Sequence, residues 1–506
     1  MKEKIKKFEE ISEIIADHKL EGKKIILCHG VFDLLHIGHI KHFEEAKKMG
    51  DILVVTITPD QFVNKGPGRP AFNTNLRLEA LSALDSIDYV VANKWPTAEE
   101  AIKIIQPNIY CKGPDYKDHL DDITGKIDDE EAAVKLVGGK ISYTDDITFS
   151  SSKLLNKYGN LYSDEQDLFI KEIANNNSFE SINFSLDSMK DLKVLVIGET
   201  IIDQYIFCEA LGKSGKEPVL VLRDLETQDY LGGALAIAQH LSEFCNQVSV
   251  LSFIGEGNEY KSFIEDNMEK NVSLNFLNKN NSPTILKRRF VDNIDRKKIL
   301  GVYSINDNSL STSEEDKFLK SLDRISKEND LIIVSDYGHG IITPRIAQHI
   351  SKSDKFVSLN AQVNAANIGT HSIRKYQNIN CLIINANELF HEMRERDGDL
   401  EALALELKKL INADYISVTQ GKNGAFLLND HKPLVNCPAF ASEVVDKVGS
   451  GDTLLALLSI CIYSGFSENL SLFIASLAAA QSVESVGNSS HVSKVLLLKT
   501  ISHFLK

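Results

Sequence analysis

The sequence has no cysteine pair at CxxC spacing, no excess of basic residues and no apolar run long enough to span a bilayer. Each absence removes a class of function. The seven cysteines (Cys28, Cys111, Cys208, Cys245, Cys381, Cys437 and Cys461) are odd in number and scattered. That pattern fits a reducing compartment and offers no zinc site. A formal net charge of −15 leaves no basic face for a nucleic-acid partner. Anionic sugars or nucleotides remain open as substrates, because local Lys and Arg can override the global field. The most apolar stretch, Thr453–Phe466, falls short of the roughly 20 residues of a membrane span and is followed by polar SENLS. It reads as a buried helix, so no membrane partner is expected. The N-terminal MKEKIKKFEEISEII alternates charged with apolar residues at helical spacing and carries no signal-peptide core, so a cytoplasmic location is expected. No short-period repeat is visible, which excludes a solenoid.

A chain of 506 residues is too long for one core, and two or three domains are expected. Its 43% hydrophobic and 25% charged residues match ordinary globular proteins, so these domains should be folded and water-exposed. After the first amphipathic helix, KKIILCHGVF reads as a strand entering a glycine turn. His39–Gly50 reads as a helix and Asp51–Thr58 as an apolar strand. Asn75–Leu84 (helix), Tyr89–Ala92 (strand), Ala98–Ile105 (helix) and Ile109–Lys112 (strand) follow. Continuous apolar strands alternating with helices predict a parallel sheet covered on both faces. The pattern stops near Leu155, and residues 159–190 read as a polar linker with one helix, Asp164–Ile173. A second α/β pattern opens at KVLVIGETIID and recurs at LIIVSDYG, CLIINANE and YISVTQG. The predicted organisation is α/β throughout, with one domain over 1–158 and another over 191–506.

In GVFDLLHIGHIKH, His36 and His39 lie three residues apart where a strand gives way to a helix. On that spacing both imidazoles share a face beside unpaired helix N–H groups, an anion site. They can stabilise charge on an α-phosphate and a departing pyrophosphate. Gly38 permits close approach of a nucleotide. In DKVGSGDTLLALL, Gly449, Ser450 and Gly451 precede an apolar helix, and their amides can form an anion hole. Asp452 sits at the helix start, placed to take a proton from a hydroxyl attacking a γ-phosphate.

The first of these segments resembles the cytidylyltransferase-like family, whose mark is HxGH after a strand ending in G-x-F-D. Gly30, Phe32, Asp33, His36, Gly38 and His39 stand in that arrangement, and the likeness continues through KGPGRPAFNTNLRLEALSALDSIDYVV, CKGPDYK and GGKISYTDDITFSSSKLL. It is similar to the nucleotidyltransferase of bacterial ADP-heptose synthesis and, more distantly, to glycerol-phosphate cytidylyltransferases. The resemblance implies a Rossmann-like domain in which His36 and His39 are catalytic and hold the triphosphate. It also implies that Lys65 and Arg77 meet phosphates, Lys112 and Asp115 line the acceptor side, and Ser150, Ser151 and Ser152 contact the nucleotide. Thr148 stands where the family often has glycine. The implied reaction is attack of a sugar 1-phosphate on the α-phosphate of ATP or CTP, with Mg²⁺ neutralising charge.

The second half resembles the ribokinase (PfkB) family in GETIIDQY, YLGGALAIAQHL, SDYGHG, NANE and VTQGKNGAFLL. That family implies an α/β domain with a small β lid and Asp452 as catalytic base. Asp203, Gly232 and Gly233 would hold the sugar. Asn385, Glu388, Thr419, Gly421, Gly424, Gly449, Ser450 and Gly451 would hold the nucleotide, with Glu388 near Mg²⁺. Within it, KEPV and PTILKRRF are similar to the heptose 7-phosphate kinase, but Ala236 replaces an expected Asn and LNAQV (Leu359–Val363) replaces a charged strand motif. The order of the two domains is also reversed. No Walker A motif is present. Together these readings imply a bifunctional enzyme of sugar-nucleotide synthesis and, as a partner, a second copy of the chain in a homo-oligomer. The alternative is a polyol-phosphate cytidylyltransferase whose kinase-like half only binds or oligomerises.

Overall fold

The computed structural model describes residues 2–63, 70–113, 126–144, 162–294, 296–364, 367–430, 432–441 and 444–505. It divides into two compact units, Met1–Asp164 with Leu498–Lys506, and Glu165–Leu497.

In the first unit six strands form one parallel sheet: β1 (Ile5–Lys6), β2 (Ile25–Gly30), β3 (Ile52–Ile57), β4 (Tyr89–Ala92), β5 (Ile109–Lys112) and β6 (Lys140–Tyr143). Their order is β1-β4-β3-β2-β5-β6. Alternation along β2 sends Ile25 and Leu27 into one apolar cluster with Phe8, Ile11 and Ile102, and Ile26 and Cys28 into another with Phe43 and Leu81. Both faces are therefore covered, and β3 is buried at every position, as a doubly covered parallel sheet requires. Strands β4 and β5 occupy the predicted residues, and the helices Thr74–Ser82 and Glu99–Ile105 lie within two residues of theirs. β2 runs directly into the turn before the helix Ile37–Lys48, so that helix starts at the carboxyl end of the sheet.

The second unit is built on nine strands in the order β11-β10-β7-β14-β15-β16-β17-β18-β19. They are β7 (Lys193–Gly198), β10 (Gln247–Gly255), β11 (Val272–Lys279), β14 (Leu331–Asp336), β15 (Phe356–Ala361), β16 (Cys381–Asn385), β17 (Tyr415–Thr419), β18 (Ala425–Asn429) and β19 (Val435–Cys437). The first seven in that order are parallel, and β18 and β19 continue antiparallel. A separate four-stranded sheet, β13-β12-β8-β9, forms the lid from β8 (Thr200–Lys213), β9 (Leu220–Gly233), β12 (Ile285–Asp292) and β13 (Lys298–Ser304). The apolar stretch near Thr453 is the helix Ser450–Tyr463, buried continuously from Thr453 to Cys461. No described helix is long and apolar enough to cross a membrane.

One expectation needs correction. The polar segment read as a linker with one helix carries two, Asp164–Asn176 and Phe179–Ser188. The second starts at Ser178, whose hydroxyl accepts from Ser181 N, and it buries Ile182 and Leu186. Two buried apolar residues in ten give too weak a helical period to stand out in a run of Asn and Ser.

Candidate active sites

The kinase-like site forms where the helix Ser450–Tyr463 begins. Its preceding residue, Gly449, has φ 92°, and a Cβ there would lie 2.1 Å from Asn488 Oδ1. Only glycine fits the turn. Upstream, Asp446 pins the same loop: it accepts from Tyr205 Oη (2.6 Å), Lys298 Nζ (2.5 Å), Val448 N and Gly487 N (both 3.1 Å). Behind the turn, Thr453 Oγ1 meets His240 Nε2 at 3.1 Å, while His240 Nδ1 accepts from Val492 N. Burial pushes His240 down to about 3, so the ring is neutral, and Nε2 carries its proton.

Asp452 lies in the first helical turn. Tyr337 Oη donates to Asp452 Oδ1 at 2.6 Å. Burial, with the nearby Asp203 charge, raises the Asp452 carboxyl to about 7, against the opposing effects of Tyr337 and Lys287. A carboxyl near neutrality suits a general base. Tyr337 is itself held at every polar backbone group. Its N–H donates to buried Glu199, and its carbonyl accepts from the Asn364 and Asn367 amides at 2.8 Å. Lys287 Nζ stands 5.0 Å from the centre of its ring.

Asp203, expected from the resemblance to hold the sugar, is buried at the root of β8, pairs with Arg289 of β12 and accepts from the Asn488 amide at 3.4 Å. Gly232 is its neighbour: a Cβ there would fall 2.5 Å from Asp203 Oδ2. Gly233 has φ 61° and begins the helix Ala234–Ser242, within which Ala236 is buried. In β15, Asn360 donates its amide to Ile383 O.

Among the residues expected to hold the nucleotide, Asn385 and Glu388 cap the helix Ala386–Met393 reciprocally, each accepting the other's backbone N–H at 2.9–3.0 Å. Burial lifts Glu388 to about 7. Thr419 ends β17, and Gly421 (φ 59°) opens the turn that follows. Gly424 (φ 86°) has a packing duty, since a Cβ would sit 2.0 Å from Cys437 O. Half-buried Ser450 and exposed Gly451 begin the first turn beside Asp452.

Sequence reasoning did not single out Tyr337, Lys287, Arg289 or Asn488. The first three lie inside SDYGHG and PTILKRRF, segments the resemblance did mark. Asn488 carries no local signal. Also missed was the network below Tyr337, where Asp336 pairs with Lys375 (2.6 Å) and accepts from Tyr376 Oη (2.7 Å). Buried Glu199, raised to about 7 by burial and by the Asp336 charge, accepts from His339 N as well as Tyr337 N.

In the first unit His36 is the N-cap of the helix Ile37–Lys48, its Nδ1 accepting from Gly38 N at 3.1 Å. Burial depresses its pKa, so the ring is neutral at pH 7 and Nε2 bears the proton. That Nε2 is buried and has no hydrogen-bond partner among the described residues. The His36 and His39 rings stack with centroids 4.0 Å apart, and Phe32 meets His39 edge-on at 5.4 Å. Phe32 has φ 47°, and its ring leaves a Cβ at Gly30 only 2.9 Å of room. Buried Asp33 accepts from Phe72 N at 3.1 Å. Lys112 pairs with Glu130 at 2.5 Å. Lys65, Asp115, Ser150, Ser151 and Ser152 lie outside the described residues.

Arg77 is placed differently from expectation. Its side chain is 1% exposed, and Asp60 is its ion-pair partner. Nε donates to Phe72 O, Nη1 to Val31 O and Thr58 O, and Nη2 to Asp60 Oδ1 and Thr74 Oγ1. All five N–H donors of the guanidinium are engaged. Arg77 ties together the loops around the site, leaving no donor for a phosphate.

Residues 27–181 match the cytidylyltransferase-like family, and residues 191–494 match the pfkB family of carbohydrate kinases. The chain is 43% identical over 139 residues to the bifunctional protein HldE of Aliarcobacter butzleri, covering 27% of this chain and 29% of that protein. It is 27% identical over 298 residues to the bifunctional protein HldE of a Nitratiruptor species, covering 58% and 62%. Each alignment spans less than two thirds of the relative. The fold is similar to phosphofructokinase-2 from Escherichia coli in complex with fructose-6-phosphate, with TM-score 0.50 and 13% identity over 62% of this chain and 100% of that one. The family match covers more than half of the sequence, and the chain belongs to the pfkB family of carbohydrate kinases, with a cytidylyltransferase-like domain preceding the kinase domain.

Proposed function

We propose that this chain makes an activated sugar in two reactions: ATP-dependent phosphorylation of a heptose-like sugar or sugar phosphate, and transfer of a nucleotidyl group to a sugar 1-phosphate with release of pyrophosphate. The observation that carries the first reaction is Asp452, raised to about 7 at the start of a helix that follows a glycine turn. It takes the proton of the attacking hydroxyl while the Gly449–Gly451 turn receives the γ-phosphate. Asp203, with Arg289 and Asn488 behind it, binds sugar hydroxyls. Its intact environment favours turnover over a purely binding role for this half.

Mg²⁺ fits Glu388. This buried carboxyl is lifted to about 7, and no Lys or Arg pairs with it among the described residues. Bound there, the cation would neutralise phosphate charge.

In the transferase half the unpartnered Nε2–H of His36 is a donor for a phosphate oxygen, with His39 stacked beside it. Lys112, Lys65 and Asp115 belong to the acceptor and phosphate side in this reading, and Ser150, Ser151 and Ser152 to the nucleotide. ATP is the phosphoryl donor of the first reaction, and ATP or CTP the nucleotidyl donor of the second. Exposed Leu211, Leu220, Leu225 and Leu300 on the lid support a homo-oligomer.

The test is a panel of heptose and heptose phosphates incubated with ATP and, separately, CTP, with ADP and pyrophosphate measured independently. ADP formation that requires a sugar acceptor and is lost in Asp452→Asn supports the kinase reading. Pyrophosphate release without any ADP formation would sink it. Pyrophosphate from CTP but not ATP would reassign the nucleotide.

A further inference from the structure

Three elements of the first unit bring two thiols and an imidazole to one point. Cys28 on β2 and Cys111 on β5 are register partners across parallel strands, so their side chains leave the sheet on the same face. They are 0% and 1% exposed, inside the apolar cluster that contains Phe43 and Ala46. His42, on the helix Ile37–Lys48, completes the group: one donor atom from each of the three residues lies within 4.8 Å of the others. Met49 Sδ stands 3.9 Å from Cys111 Sγ, so a fourth soft donor adjoins them.

We propose that Cys28, His42 and Cys111 form a binding site for a zinc-class divalent cation beneath the floor of the transferase site. Sulfur and imidazole nitrogen are the donors such ions prefer, and three protein ligands suffice to hold one. Thiolates about 2.3 Å from a tetrahedral ion stand roughly 4 Å apart. The observed spread therefore closes onto an ion with a shift of about 1 Å or less. Charge selects the ion. Two thiolates and one divalent cation sum to zero, which an apolar cluster tolerates. A monovalent ion would leave a net negative charge buried there, at high cost. Thr144 Oγ1, 2.9 Å from His42 Nδ1, steadies the ring as outer-shell partners of metal-bound histidines do. Binding displaces two thiol protons, and the bonds formed are two metal–sulfur bonds and one metal–nitrogen bond, with no redox change.

The location gives the site a purpose. β2 leads to Gly30 and the turn before His36, the helix carrying His42 also carries His39, and β5 ends at Lys112. One ion would cross-link the three elements that present those residues. No sequence spacing signals it, because Cys28 and Cys111 become neighbours only when β2 pairs with β5.

The experiment uses the full chain, reduced and freed of metal by chelation, then titrated with Zn²⁺ and with Co²⁺. One equivalent of each is expected to bind, the cobalt form showing thiolate-to-metal charge-transfer absorption and tetrahedral d–d bands. Zinc should raise the Tm of the metal-free protein. Cys28→Val with Cys111→Val removes both sulfur ligands while keeping the cluster apolar, and should abolish both signals with an unchanged far-UV spectrum. Thr144→Ala should weaken zinc binding by roughly tenfold. Absence of stoichiometric binding to the reduced wild-type chain overturns the proposal, whatever the variants do. So does equal binding by the double-valine variant, or a cobalt spectrum without thiolate charge transfer. These readouts do not depend on either catalytic activity, so they stand apart from the functional reading above.

Discussion

Tyr337 Oη donates a 2.6 Å hydrogen bond to Asp452 Oδ1, coupling the end of β14 to the first turn of the helix that follows the glycine loop. This bond is one of the influences that lower the Asp452 pKa against burial. Removing it in Tyr337→Phe leaves burial and Asp203 less opposed. In its proposed role as base Asp452 must be ionised, so activity is expected to rise with pH through about 7, and the variant's rise should come later. The expected outcome is an alkaline shift of the acid limb of kcat/KM for sugar phosphorylation. Near pH 6.5 that is a loss of about tenfold per pKa unit. An unchanged profile would mean that Tyr337 only fills space.

Asp452→Asn should reduce phosphorylation by about 10²–10⁴-fold, the usual contribution of a positioned base. Pyrophosphate release by the transferase half should stay at the wild-type rate. Parallel loss of both activities would instead point to misfolding, which circular dichroism distinguishes.

His36→Ala should give the converse result. It removes the neutral imidazole whose Nε2–H is without a partner among the described residues, and a loss of about 10²–10³-fold in pyrophosphate release is expected from losing one preorganised donor. Sugar phosphorylation measured in the same preparation should be unaffected.

Stability should fall with rising pH in the kinase unit. Glu199, Glu388 and Asp452 all have folded-state pKa values of about 7, against about 4 in the unfolded chain. The folded state therefore binds more protons between those values. Stability is greatest below the unfolded pKa and is lost as pH rises toward 7, by an amount on the order of a few kcal/mol. Carboxylates elsewhere that pair with cations act in the opposite direction, so the clean measurement is a difference. Relative to wild type, Asp452→Asn should gain Tm at about pH 8 and gain little at about pH 5. Equal gains at both pH values would contradict the linkage.

Arg77→Ala should act on folding before it acts on chemistry. It leaves three backbone carbonyls and Asp60 without their buried donor. A loss of about 3–5 kcal/mol in the first unit is expected, typical of breaking a buried charged network. Arg77→Lys keeps the charge but not the planar fork and should recover only part of it. Denaturant unfolding of the two variants checks this. A fully stable Arg77→Ala protein with only a raised KM for nucleotide would restore the phosphate contact inferred from resemblance.

The fold was legible because its signals are local and repeated. The continuous apolar runs of β3, β7 and β14 have one physical reading, a strand covered on both faces, and the glycine turn before Asp452 names its own helix start. What escaped were relationships made only by packing. Arg77 looks like any exposed helical arginine in sequence, yet its five partners come from four separate positions in the chain and a neighbouring hydroxyl. Tyr337 and Asp452 are 115 residues apart, and no periodicity connects them. The helix Phe179–Ser188 was invisible for the opposite reason, since its few buried residues are enough in place but too sparse in sequence.

The lid's geometry has a mechanical corollary. Its strands do not stand on a hinge remote from the site: β8 carries Asp203, β9 ends at Gly232 and Gly233, and β12 carries Lys287 and Arg289, all paired in register across the same sheet. In the proposed sugar-binding role, these residues would lie within the lid sheet itself rather than on a separate support. A sugar held by them would then bear directly on three strands of one sheet, so its fit would be felt by the lid as a unit.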